Sequence, residues 1–213
     1  MTVARISRVH APVTVLGPGR RLGIWFQGCS IGCRGCVSRD TWDSGAGREL
    51  SVAELAAHCR DRIEALGLAG ITLSGGEPFE QPGALAALLT DLAPWCEARG
   101  IDRLCYSGLP MKRLTAEYSH ILALLDAVMP EPFALSQPNG AVWRGSANQP
   151  LIPLSALGRQ RYREVPKVHP GLQVSVEANR IWFIGIPRDG DMDRITRGSA
   201  ERGLALEDVS WLP

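Results

Sequence analysis

The stretch Leu22–Asp43, LGIWFQGCSIGCRGCVSRDTWD, decides how the rest of the chain is read. Leu22–Phe26 is a short apolar run of β-forming residues, which reads as a buried strand. A Gly-rich loop leaves its end and carries Cys29, Cys33 and Cys36 in the spacing C-x3-C-x2-C. Three thiolates this close can converge on one iron–sulfur cluster, and a [4Fe–4S] cube has four irons to satisfy. The loop holds no fourth Cys, so one iron is left without a protein ligand. An open metal position invites a substrate or cofactor, whereas closed sites are structural. The alternative is structural zinc, which normally takes four N or S ligands; the nearest histidines outside the loop are His10 and His58.

Outward from this loop, helix and strand signals alternate. Ser51-Val52-Ala53-Glu54 is a capping box, and Val52, Leu55, Ala56, Cys59, Ile63 and Leu66 then recur at helical spacing until Gly67 and Gly70. Ile71–Leu73 reads as a second strand and runs straight into Ser74-Gly75-Gly76-Glu77-Pro78. Two glycines after a strand let the backbone approach a ligand closely. Leu85, Leu88, Leu89, Leu92, Trp95 and Cys96 mark a second helix, closed by Gly100. Ile101–Tyr106 is a third strand broken by Ser107-Gly108, and a third helix is expected over Thr115–Leu125. Asp126–Met129 is a fourth strand, stopped by Pro130 and Pro132. Ahead of the Gly17-Pro18-Gly19 turn, Val3–Leu16 reads as an edge strand or an ordered lead-in. Ser136–Pro153 is loop-rich, Val174–Glu177 and Ile181–Ile184 form a hairpin with Asn179 at its turn, and Asp191–Gly203 is a last helix capped by Asp189 or Asp191. Strands alternating with helices argue βαβ units on a parallel sheet. A partial (β/α) barrel and an open doubly wound sheet both satisfy that pattern.

The cysteine spacing, followed one βα unit later by Gly75-Gly76-Glu77-Pro78, resembles the radical S-adenosylmethionine (radical SAM) superfamily. Gly17-Pro18-Gly19, Cys33-Arg34-Gly35-Cys36, Thr41-Trp42 and Trp143-Arg144-Gly145-Ser146-Ala147-Asn148-Gln149, in this order, resemble the anaerobic ribonucleotide reductase activating proteins, a glycyl-radical activase family. The resemblance covers roughly Val13–Leu151. It implies an α/β fold, a partial (β/α) barrel of the radical SAM type, in one domain over 1–213. The core spans about 13–151, and an extension over about 152–213 (a hairpin and a helix) has no counterpart in the family.

The resemblance further implies a [4Fe–4S] cluster on Cys29, Cys33 and Cys36, with S-adenosylmethionine chelating the open iron. Ser74, Gly75, Gly76, Glu77 and Pro78 would bind its methionyl group, with Glu77 facing the amino charge. Ser107 and Gly108 would contact its ribose or carboxylate. Reduction by an external one-electron donor of flavodoxin or ferredoxin type would split the cofactor into methionine and a 5′-deoxyadenosyl radical. That radical would take a hydrogen atom from a glycine of a partner glycyl-radical enzyme. No further catalytic side chain stands out. The chain departs from the family at Met129-Pro130-Glu131-Pro132-Phe133, at Ser107-Gly108-Leu109 and at Leu16. These departures bear on the partner. A stand-alone enzyme acting on a small molecule, sugar or peptide is the alternative, and a non-catalytic cluster-bearing sensor or electron carrier is a third reading.

At 213 residues, 45% hydrophobic and 21% charged, the chain can bury a proper core. Its net charge of +1 leaves no footprint for nucleic acid or an anionic membrane surface. The first residues lack a signal-like apolar region and no run approaches the roughly 20 residues of a membrane span, so a cytoplasmic protein is expected. Cys59, Cys96 and Cys105 read as small buried hydrophobes. Trp25, Trp42 and Trp95 read as core or cluster-shielding residues, and Arg21 with Gly17-Pro18-Gly19 as the mouth where a substrate enters. In Trp143–Gln149, Arg144 offers a planar fork and Asn148 and Gln149 offer amides, which serve either bracing of the last strands or substrate contact.

Overall fold

The structure is a computed structural model describing residues 2–137, 141–166, 171–178, 180–207 and 209–211. In chain order its elements are β1 (Val3–Val13), β2 (Arg21–Phe26), β3 (Arg48–Ser51), α1 (Val52–Leu66), β4 (Gly70–Gly75), α2 (Pro82–Glu97), β5 (Asp102–Tyr106), α3 (Met111–Glu117), α4 (Ser119–Leu122), β6 (Ala127–Met129), β7 (Ile152–Pro153), α5 (Ala156–Arg161), β8 (Leu172–Glu177), β9 (Arg180–Gly185) and α6 (Asp191–Ala200). Seven strands form one sheet in the order β3-β1-β2-β4-β5-β6-β7. Its centre, β2-β4-β5-β6, is parallel, and antiparallel pairs flank it on both sides. Among the described residues β3 and β7 are the edges of the sheet, which is a partial (β/α) barrel and does not close. A separate hairpin, β8–β9, follows.

Side chains alternate across the parallel strands. Leu22, Ile24 and Phe26 of β2, Ile71 and Leu73 of β4, Cys105 and Val128 join the stripes of α1 and α2 in the main core, which also holds Cys59 and Cys96. The intervening residues face the other way, and near the start of the strands they build a buried ion pair. Arg21 and Asp102 are both fully buried, and the guanidinium donates two bonds to the carboxylate at 2.9 and 2.8 Å. Arg21 Nε donates to Thr72 Oγ1 at 2.7 Å, and Tyr162 Oη donates to Asp102 at 2.5 Å. Gly70 makes room for this, since a Cβ there would stand 2.2 Å from Arg21 Nη1.

This placement overturns the expected role of Arg21 at a substrate mouth. Arg21 opens β2, whereas the cysteine loop leaves the opposite end of that strand. The guanidinium holds the Gly17-Pro18-Gly19 turn from beneath, donating to Pro18 O at 3.2 Å. Asp102→Ala would strand a buried cation, which typically destabilises by about 3–5 kcal/mol. Urea unfolding checks this, and an unchanged midpoint would contradict it.

Several boundaries differ from the sequence reading. β1 is not an edge, because the short polar β3 pairs beyond it, Val3 with Ser51 through Ile6 with Arg48. The third helix starts at Met111, where Pro110 O accepts from Arg113 N and Leu114 N, and it breaks at Tyr118, whose φ is −130°. Neither Asp189 nor Asp191 caps α6; Gly190 holds the cap position at φ 74°, and Asp191 accepts from Arg188 N at 2.6 Å. The capping box is present as read, with Ser51 and Glu54 exchanging bonds of 3.2 Å. The expected hairpin turn residue Asn179 lies outside the described residues. Among the described residues no helix is long and apolar enough to cross a membrane.

Candidate metal centre

The cysteine loop is a closed excursion from the carboxyl end of β2. Gly28 N donates to Thr41 O at 2.7 Å and Cys29 N to Trp42 O at 3.1 Å, which joins the two ends of the loop. Gln27 Nε2 reaches the carbonyls of Asp40 and Asp43 at 3.0 and 2.8 Å, and Gln81 Nε2 in turn donates to Gln27 O at 2.9 Å. Ser30 is anchored by Glu80, which accepts from its N at 2.7 Å and its Oγ at 2.6 Å.

Cys29, Cys33 and Cys36 are free thiols, half-buried, and all three line one cavity of about 820 Å³. Ser38 N donates to Cys36 Sγ at 3.4 Å, and the backbone N–H groups of Ile31 and Gly32 for Cys29, and of Phe133 for Cys33, favour the thiolate form. Burial pushes the thiols of Cys29 and Cys33 up, and those N–H donors oppose it. Partly shielded sulfurs that accept amide N–H bonds suit thiolate ligation of a cluster, so the donor set fits a [4Fe–4S] group. Among the described residues no three His, Cys, Asp or Glu side chains gather tightly enough for a single metal ion. A cluster with one iron per thiolate needs no such gathering.

The segment after β4 holds the loop in place. Gly76 N donates to Phe26 O and Glu77 N to Gly28 O, both at 2.8 Å. A Cβ on Gly75, whose φ is 104°, would stand 2.5 Å from Phe26 N, and one on Gly76 would stand 2.2 Å from Gly28 O. The glycines therefore admit the backbone of β2 and the cysteine loop, a closer neighbour than the ligand anticipated from the sequence. Glu77 is 1% exposed and its carboxylate is already bonded within the chain. It accepts from Phe79 N at 3.0 Å, Ser107 Oγ at 2.9 Å and Gly108 N at 2.6 Å, joining the end of β4 to the end of β5. Ser74, Gly75, Gly76, Glu77, Ser107 and Gly108 all line the cavity with the cysteines. Pro78 does not; it is buried and starts a 3₁₀ turn over Pro78–Glu80.

Burial pushes the Glu77 carboxyl up to about 7, against the pull of its three hydrogen bonds. A carboxyl that binds its proton more tightly folded than unfolded stabilises the fold at low pH and withdraws that support as pH rises. The metal-free chain should therefore lose about 3 kcal/mol through this group between its ordinary titration near 4.5 and pH about 7. Glu77→Gln should remove that slope from unfolding midpoints measured across the window. Parallel slopes in both chains would contradict it.

Other parts of the wall carry no motif and escape the sequence reading. Arg8 of β1 places its guanidinium 5.6 Å from the Trp25 ring and 5.9 Å from that of Trp182, and it pairs with Asp40. His10 lies 3.4 Å from Glu177. The extension contributes Trp182 and, further on, Ser210, whose Oγ donates to Val37 O at 2.9 Å while its carbonyl accepts from Arg39 N at 2.9 Å. Trp25 and Trp42 line the cavity, but Trp95 does not; it sits on α2 with the Arg99 guanidinium 4.7 Å from its ring.

With three thiols and two strand ends around one cavity, the arrangement is that of an iron–sulfur protein of radical SAM type. The chain belongs to the family described as the 4Fe-4S single cluster domain, whose model matches residues 15–152. Its cofactors are a [4Fe–4S] cluster and S-adenosylmethionine. It is 28% identical to the anaerobic ribonucleoside-triphosphate reductase-activating protein of Enterobacteria phage T4, over 68% of this chain and 91% of that protein. The protein of the same description from Vibrio cholerae is 30% identical over 66% of this chain and 92% of its own length. Pyruvate formate-lyase 1-activating enzyme of Escherichia coli (strain K12) is 33% identical over 60% of this chain; the chain spans about half, 51%, of that relative.

Proposed function

We propose that this chain is an activating enzyme that removes a hydrogen atom from a glycine Cα of a partner glycyl-radical enzyme, of the anaerobic ribonucleotide reductase activating type. The observation that carries it is the shared cavity, in which the cysteine loop and the ends of β4 and β5 meet. Cys29, Cys33 and Cys36 would hold the cluster, and Ser74–Glu77 with Ser107 and Gly108 would cradle S-adenosylmethionine. Bound there, the cluster and the cofactor would supply the one-electron chemistry for hydrogen-atom abstraction. The chain's share is binding, orientation and exclusion of water. Gly76 and Glu77 fix the loop's base through Phe26 and Gly28, Glu77 holds Ser107 and Gly108 in place, and Trp25, Trp42 and Ile31 wall the cavity against solvent. The electron would come from an external flavodoxin- or ferredoxin-type donor, in the cytoplasm. Mixing the reduced protein, S-adenosylmethionine and a candidate glycyl-radical enzyme should give a glycyl radical doublet in EPR; silence with every partner encoded beside it would sink the reading.

One observation favours a second reading. Trp182, Ser210 and Trp211, all beyond the matched residues 15–152, wall the same cavity, which suits a small molecule or peptide handled without a large partner. Deuterium passing from a labelled metabolite into 5′-deoxyadenosine would favour it.

A further inference from the structure

Residues 204–207 and 209–211 form a strap that lies beyond the matched residues 15–152 and borders the cavity together with Cys36, Val37 and Ser38. None of these strap residues is buried. Leu204 N donates to Ser199 O at 2.9 Å, which leads the strap off the end of α6. It then meets the cysteine loop through one residue. Ser210 Oγ donates to Val37 O at 2.9 Å, and Ser210 O accepts from Arg39 N at 2.9 Å. The next ring, Trp211, meets Phe183 of β9 edge-on, with centroids 5.8 Å apart.

The loop backbone under Ser210 alternates as a strand edge does. Ser38 is engaged within the loop: its N donates to Cys36 Sγ at 3.4 Å, and its O accepts from Thr41 N at 3.1 Å and Thr41 Oγ1 at 2.6 Å. The flanking Val37 O and Arg39 N both go to Ser210. A carbonyl and an N–H two residues apart, both bonded to one residue opposite, is the pattern by which parallel strands pair. In the strap the Ser210 hydroxyl donates where a paired strand would offer its N–H.

We infer that residues 37–39 are a docking edge for an extended peptide segment of the partner, and that the strap covers this edge until such a segment displaces it. The inference rests on the reading of the partner as a protein that brings a glycine to the cavity. An extended segment supplies the N–H and C=O of one residue to Val37 O and Arg39 N, as in strand addition, where main-chain bonds give affinity. The edge begins directly after Cys36 in the cavity wall, so a segment seated there lies beside the cysteine loop. The strap is built to yield. It belongs to neither sheet, and its described bonds to the cysteine loop are the two at Ser210. Segments with few buried contacts open locally at low free-energy cost.

The test uses the full chain carrying both Ser210→Ala and Trp211→Ala, which removes the hydroxyl bond and the ring contact and leaves every cysteine in place. In hydrogen exchange the Arg39 amide should exchange at least about tenfold faster than in wild type, because the strap opens more often. The Leu73 amide, deep in the parallel core, should exchange as in wild type; an equal acceleration there would reduce the effect to lost stability and overturn the inference. A labelled synthetic peptide of residues 204–211, LALEDVSW, should bind the double variant and restore protection of Arg39. It should bind wild type at least about tenfold more weakly, since the tethered strap competes at high effective concentration. With the reduced, loaded protein and a glycyl-radical enzyme, the apparent KM for that partner should fall by about threefold or more once the edge is uncovered. Wild-type exchange at Arg39, equal peptide affinity for both chains or an unchanged KM would overturn the inference. A wild-type chain that gives no glycyl radical with any partner would instead sink the functional reading, while Arg39 exchange and peptide binding would still decide whether the covered edge exists.

Discussion

Cys33→Ala is expected to give a folded chain that holds little iron and makes no measurable 5′-deoxyadenosine. The loop does not depend on this thiol for its shape, since the Gly28–Thr41 and Cys29–Trp42 bonds close it and Gln27 ties its far side. Cys33 is only half-buried, so losing one sulfur should change stability by no more than about 1 kcal/mol. Its effect on the metal is of another order. Removing a group that merely supports a ligand costs about 10–100-fold in metal affinity or activity, and Cys33 is one of the three proposed ligands in a loop that carries no fourth Cys. Iron content and product formation, compared with Cys59→Ala on α1 as a control, check this. A Cys33→Ala chain with full cleavage activity would falsify the ligand assignment.

Gly76→Ala should be nearly as damaging through geometry alone. Its new methyl would stand 2.2 Å from Gly28 O, 2.8 Å from Gly28 C and 3.0 Å from Thr41 O, all backbone atoms of the cysteine loop. No side-chain rotation relieves such a contact, so the loop must move away from β4. The Glu77 N–Gly28 O bond then breaks with it. Overpacking of this kind costs about 1–3 kcal/mol in a rigid interior. The larger consequence is that Cys29, next to Gly28, leaves its place beside the ends of β4 and β5. Cluster uptake should fall by at least about tenfold, while Gly83→Ala, where a Cβ meets nothing within 4 Å, should leave it unchanged. Full cluster occupancy in Gly76→Ala would contradict this account of the glycines.

What the sequence made legible follows from where its signals are local. The Ser51–Glu54 box and the stripes of α1 and α2 depend on neighbours in the chain, and they stand as read. Arg21 was misplaced because a lone Arg near a Gly-Pro-Gly turn gives no sign of Asp102, which the parallel register brings to it, or of Tyr162, which arrives at the end of α5. Glu77 was read for a ligand's charge, and only the adjacency of β4 and β5 reveals that Ser107 and Gly108 occupy its carboxylate. Arg8 and Trp182 left no trace in the sequence reading at all. They come together across β1 and the β8–β9 hairpin, and single aromatic or basic residues in strands carry no spacing that announces a cavity wall. The role of Trp143–Gln149 was likewise open, since amide side chains serve bracing and recognition equally well until their partners are seen.

The most direct test is to reconstitute the wild-type chain without oxygen, count its iron and sulfide, and then reduce it in the presence of S-adenosylmethionine. Binding of about four irons per chain, with methionine and 5′-deoxyadenosine formed on reduction, is the predicted result. A colourless chain, one holding zinc in place of iron, or a loaded cluster that leaves the cofactor intact would contradict it.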